Sequence, residues 1–185
     1  MGQFLSISIV TKITANTSEF RDQQPDTAAI TQLLQDQGLF ALDLYDYHTV
    51  SADFRQWTLK PELLKNELLP FLKAFYGIST RFYDSDQADV IAKLEKTPFN
   101  RWAKIIADQS FETLQSDKYV HSEYFQLPDN EFADIKVEME AIMLYMAGKV
   151  LLESDSGMFS FYTYCMHQTF ANYPIARTLR TYITG

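Results

Sequence analysis

Four side chains in one short stretch, Asp43, Asp46, His48 and Asp53, are of the types that metal binding or proton transfer requires. The alternation of Phe40, Leu42 and Leu44 with Ala41, Asp43 and Tyr45 predicts a strand from about Leu39 to His48. Asp46 and His48 then share one face at the strand end, where a metal or a general base could sit. Aspartate and histidine at a strand end more often form a turn or a solvated rim. A second pair, Cys165 and His167, falls on one face of an aromatic-rich strand predicted between Met158 and Phe170. Side chains two apart on a strand stand about 6.5–7 Å from each other, too far for a nucleophile to bond its base. That pair reads as a buried structural cysteine beside a satisfied histidine. In His121-Ser122-Glu123 an imidazole adjoins a carboxylate, but in a polar connection without a rigid frame.

The motifs that would announce an enzyme are missing. There is no glycine-rich phosphate loop ahead of Lys-Ser or Lys-Thr, no G-x-G-x-x-G and no G-x-S-x-G elbow. With one cysteine and no H-E-x-x-H, the usual zinc spacings fail, and no Glu-x-x-His supports a di-iron bundle. No cofactor is expected. The single cysteine excludes an intrachain disulfide framework and fits a reducing compartment, so the expected location is the cytoplasm. The apolar run Ala141 to Leu152 is too short to span a bilayer, and no membrane contact is expected. Met1-Gly2-Gln3-Phe4-Leu5-Ser6 fits the N-myristoylation template, yet it runs straight into a strand pattern that restricts access to a transferase.

Charge is the most informative property. Between Arg21 and Arg55 six aspartates occur with no lysine or arginine, and from Glu112 to Glu140 eight acids face two lysines. Each block sums to −6, the remainder to +4, and the whole chain to −8. Such segregation costs stability through self-repulsion and builds a field that steers a basic partner. Nucleic acid is excluded as a partner by the same balance, since no basic run exists to neutralise phosphates.

These residues need a scaffold. A half-buried strand is predicted over Gln3 to Ile13, with Leu5, Ile7, Ile9 and Ile13 on one parity. Asp26 caps a helix to Gln37 that Gly38 closes, with Ile30, Leu33 and Leu34 inside. Strand, helix and strand in that order suggest a βαβ unit with a parallel pair, or a split version of it. A short strand is expected over Phe54 to Leu59. A helix follows from Pro61 to Gly77, kinked or divided at Pro70, then a brief strand over Ile78 to Tyr83. Further helices are expected from Ser85 to before Pro98, from Pro98 onward, and from Pro174 with Ile175, Leu179 and Ile183 inside. The strongest helical period is Phe132, Ile135, Met139, Ile142, Met146 and Val150, which predicts one long central helix near 130–153. On one flank of it Glu131, Asp134 and Glu138 would line up, continued by Tyr145.

The fold expected is α+β in one domain, 1–185. It comprises a small mixed sheet, made of the N-terminal βαβ-like unit and a C-terminal strand, covered by several helices. The function expected is that of a non-catalytic acidic module that binds a basic protein partner. Small acidic, aromatic-rich bacterial antitoxins and immunity proteins, which cover the active site of a nuclease or another basic toxin, are similar in profile, though no motif carries the likeness. Asp43, Asp46, Glu131, Asp134, Glu138 and Tyr145 are the expected contact residues. Two alternatives remain: a small enzyme using Asp46 and His48, and an assembly subunit that forms a weak homodimer through the stripe Val137, Leu144 and Leu151.

Overall fold

The structure is a computed structural model that describes residues 4–18, 20, 25–39, 41–82, 88–101, 119–126, 134–147 and 171–184. It is α+β, with six strands in an antiparallel sheet and three α-helices among the described residues. Strands β1 (Phe4–Asn16), β2 (Tyr45–Thr49), β3 (Phe54–Leu59), β4 (Tyr119–Gln126) and β5 (Asp134–Ala147) take the order β2-β3-β1-β5-β4. Strand β6 (Leu179–Thr184) pairs with the first part of β1. The chain divides into two compact units: Val10–Lys60 with Tyr119–Ala141, and Met1–Ile9 with Pro61–Lys118 and Ile142–Gly185.

In the first of these units, β1 alternates from Lys12 to Asn16, while Val10 is buried beside Ile9. Ile9 at its boundary, Ile13 and Ala15 are fully buried, while Lys12, Thr14 and Asn16 are half-exposed. Strand β3 pairs antiparallel with β1, placing Trp57 opposite Ile13, and β2 pairs antiparallel with β3, placing Tyr47 opposite Trp57. Helix α1 (Thr27–Asp36) starts on that side of the sheet, where Thr27 Oγ1 and the Tyr47 hydroxyl lie 3.1 Å apart. It buries Ile30, Leu33 and Leu34. The Asp26 carboxylate accepts the Ala29 N–H at 2.7 Å, satisfying a donor that the first turn leaves unpaired. At the other end Gly38 takes φ 85°, a conformation that a β-carbon disfavours, and its N–H and that of Leu39 return to Gln35 and Leu34.

Of the two βαβ readings, the adjacent parallel pair is overturned and the split version holds. Strands β1 and β2 both run antiparallel to β3, which lies between them, so the parallel pair is split and the sheet is antiparallel where a mixed one was expected. The four-residue connection Val50–Asp53 is short enough to make β2 and β3 a hairpin, so the strand that neighbours β2 is β3 and not β1. The expected strand from Leu39 begins later, because Leu42–Leu44 form a 3₁₀ turn.

The long central helix near 130–153 is overturned: residues 134–147 are strand β5. From Ile135 to Ala141 the same sequence carries a second period, Ile135, Val137, Met139 and Ala141 buried, with Lys136, Glu138 and Glu140 half-exposed between them. Continuous antiparallel register with β4, from Tyr119 opposite Ala141 to Gln126 opposite Asp134, selects the alternating period over the helical one. His121-Ser122-Glu123, expected in a connection, lies in that partner strand.

In the other unit, helix α2 (Pro61–Phe82) buries Leu68, Phe71, Leu72 and Phe75. It continues through Pro70 and past Gly77, where the sequence predicted a division and an end, and it occupies the brief strand expected after Ile78. Each of those two residues costs helix stability, but the buried phenylalanine and leucine stripe outweighs that. Phe71 meets Tyr173 edge to face at 6.0 Å, and Glu67 accepts the Ile175 N–H at 3.1 Å. Helix α3 (Ala88–Lys96) packs through Leu94, and an ion pair links its Glu95 to Lys73 of α2. The helix expected from Pro98 is a 3₁₀ turn over Phe99–Arg101 as far as the described residues go. The helix expected from Pro174 is a 3₁₀ turn, Pro174–Thr178, that leads into β6. The predicted strand Met158 to Phe170, with Cys165 and His167, lies outside the described residues.

Candidate binding face

One side of the sheet in the unit Val10–Lys60 with Tyr119–Ala141 is covered. The opposite side carries half-exposed and exposed polar residues of β1, β2, β3 and β5, among them Lys12, Asp46, Thr58 and Glu138. Directly opposed residues of antiparallel strands point to the same face, so register alone assembles rows across it. The first row is Asp46, Thr58 and Lys12, and Lys12 Nζ continues it by an ion pair of 2.7 Å to Glu140 on β5. The second is His48, Gln56 and Thr14. The third begins with Val50, whose N–H bonds the Phe54 carbonyl at 3.1 Å, and ends with Asn16 opposite Phe54. Val50 is 60% exposed and Phe54 38%, an apolar pair at the hairpin end of a polar face.

The expected contact residues divide among three situations. Asp46 is exposed on β2 with no ion pair among the described residues, and Asp43 is exposed on the preceding 3₁₀ turn, where its carbonyl accepts Lys60 Nζ at 2.8 Å. Glu138 is on β5, paired with Lys136 at 2.6 Å. Asp134 opens β5 and Tyr145 lies further along it, the side chains of both being outside the described residues, as is Glu131 altogether. The flank proposed for a helix therefore does not exist. Steps of three and four do not keep residues on one side of a strand, and the shared face of Glu138 is with Lys136 and Glu140 instead.

Charge distinguishes the unit that carries this face from the other unit. The unit Val10–Lys60 with Tyr119–Ala141 holds thirteen acids against five bases, a net −8, while the other unit balances eleven against eleven. The whole formal charge of the chain thus resides in one unit. Its four described bases are already engaged. Lys12 and Lys136 pair with carboxylates, Lys60 bonds the Asp43 carbonyl, and Arg55 Nη1 donates to the carbonyls of Ser51 and Ala52 at 2.9 and 2.8 Å.

Catalytic geometry is not assembled from these residues. Asp46 and His48 share the face, as the alternation predicts, but at a two-residue step and open to solvent. Among the described residues no three of His, Cys, Asp and Glu are grouped so as to hold a metal ion. The Tyr47 hydroxyl sits between Thr27 and Thr49 Oγ1, at 3.1 and 2.9 Å. Burial pushes its phenol up, but those two hydrogen bonds and the positive charge of Arg55 outweigh this and hold it below the ordinary tyrosine value. Sequence reading did not find Tyr47, Val50 or Phe54 as surface features. The only signal is that Ser51-Ala52-Asp53 turns the chain between two short aromatic runs.

No family model, curated protein or solved structure matches the chain. Among the described residues no helix is long and apolar enough to cross a membrane.

Proposed function

We propose that this chain is a non-catalytic, acidic protein-binding module that docks on and blocks a basic partner in the cytoplasm, in the manner of an immunity protein or antitoxin facing a toxin domain. The observation that carries this reading is the segregation of all eight net negative charges into one compact unit, the described bases of which are already engaged. A unit of strongly negative net charge raises the encounter rate with an oppositely charged surface and repels like-charged ones. Blocking is then steric: the sheet face covers what it docks upon.

The test begins with capture of interacting proteins from the native host and their identification by mass spectrometry, followed by stopped-flow association of the purified pair. The expected partner has a net basic surface. Its association rate should fall at least tenfold as salt rises from about 0.01 M to about 0.15 M, where the screening length shrinks from about 30 to about 8 Å. The double substitution Asp43→Asn, Asp46→Asn should slow association with little effect on folding. A salt-independent rate, or a partner with no basic surface, overturns the proposal.

A further inference from the structure

Strand β2 ends the sheet in the order β2-β3-β1-β5-β4. Its hydrogen bonds to β3 follow the antiparallel alternation. Lys60 N–H bonds the Leu44 carbonyl and Val50 N–H bonds the Phe54 carbonyl, at 3.1 Å each. The inward-bonded residues are therefore Leu44, Asp46, His48 and Val50, and the residues between them direct their N–H and C=O away from β3. At Tyr45 that N–H already returns to the Leu42 carbonyl. At Tyr47 and Thr49, both exposed, the four outward groups have no partner among the described residues. The strand carries no lysine or proline to blunt it, which are common protections of a natural edge.

We infer that β2 is the seat of the docking proposed above, and that the partner enters as an extended basic segment adding a strand to this edge. Backbone bonds from Tyr47 and Thr49 supply the register, and the open face supplies the selection. On that face Asp46 and Val50 are four residues apart, about 13 Å along the strand, so the added segment carries a lysine or arginine four residues from an aliphatic side chain. The basic residue meets Asp46, and the aliphatic one covers Val50 and Phe54. A second copy of this chain is the poorer occupant, because it would bring another unit of −8 to the same edge.

The inference rests on the acidic-docking reading, and the test separates the two. A phage library of random extended peptides is selected on the full-length chain, and the enriched peptides are synthesised and titrated. Basic peptides with the four-residue spacing are expected, and their binding should slow amide exchange at Tyr47 and Thr49. Thr49→Pro removes one outward donor without touching the ladder to β3, and should weaken binding at least tenfold. Thr49→Val keeps that donor and should bind like the parent. Basic peptides that bind equally well to Thr49→Pro, and leave the Tyr47 and Thr49 amides unprotected, would overturn strand addition while sparing acidic docking. Enrichment of peptides without basic residues would overturn both. A concentration-dependent dimer that Thr49→Pro abolishes would assign the edge to self-association and overturn the choice of occupant. If Thr49→Pro does not fold, amide exchange on the parent protein decides alone.

Discussion

At the scale of single residues, Tyr47 joins three parts of its unit. Its ring stacks at a tilt against Trp57 with 5.3 Å between centroids, its hydroxyl meets Thr27 at the start of α1, and its backbone faces the open edge. The phenol titrates below the ordinary value, so the ionised form favours the folded chain. That contribution is fully present above the unfolded-state value near 10 and is lost as pH falls through the folded-state one. The side chain is 40% exposed, so solvent screens the effect and it stays small. A difference ultraviolet titration between the protein and Tyr47→Phe isolates this group from the other ten tyrosines. Its midpoint should lie below about 10, and a midpoint at or above that value would contradict the hydrogen-bonded geometry. Residue-scale chemistry was legible only where it was local. Asp26 was readable as a cap because its partner is three residues on, whereas the ion pair between Lys12 and Glu140 joins residues 128 apart and has no sequence signature.

At the scale of elements, α1 and the β3 segment were legible for the same reason: caps, turn residues and a single period agreed. Strand β5 was not, because two periods coexist in it. Phe132, Ile135, Met139, Ile142 and Met146 satisfy a helix, and Ile135, Val137, Met139 and Ala141 satisfy a strand. Local propensity leans to helix here, with Met, Glu, Ala and Lys frequent, so the choice is made by β4 and β1 on either side. The acidic face inherits this dependence. As a helix, the segment would have placed Glu131, Asp134 and Glu138 along one flank. As a strand, it pairs Glu138 with Lys136 and Glu140 with Lys12. Alanine substitutions separate the two geometries. Val137→Ala removes a buried strand residue and should cost about 1–3 kcal/mol, and Ile135→Ala about 2–4. Lys136→Ala and Glu138→Ala, on the open side, should each change stability by less than about 1 kcal/mol. Urea unfolding monitored by tryptophan fluorescence measures all four. A pattern in which Val137→Ala is harmless while Glu138→Ala is severe would be incompatible with this register.

At the scale of the whole molecule, the division of charge is the property that local reading came nearest to and still missed. The two acidic blocks were visible along the chain, but the joining of the first with six of the eight acids of the second, Glu123 to Glu140, depends on β5 lying beside β1, while Pro61–Lys118, which includes Glu112 and Asp117, contributes nine acids and eight bases to the other unit. Concentrating −8 in one unit has an energetic consequence whatever the partner is. Carboxylates on adjacent strands and on α1 repel one another, and dissolved salt screens that repulsion. Salt also weakens the two half-exposed ion pairs Lys12–Glu140 and Lys136–Glu138, each contributing about 0–1 kcal/mol. With thirteen acids and only five bases, repulsive pairs outnumber attractive ones, so the first effect should win. The urea midpoint at neutral pH should therefore rise as sodium chloride goes from about 0.01 M to about 0.15 M, with the slope of the transition unchanged. Substituting Asp46 by asparagine should shrink that rise by removing one member of the repelling set. If the midpoint falls with salt instead, the ion pairs dominate, the unit is electrostatically neutralised from within, and a field strong enough to steer a basic partner is not available to it.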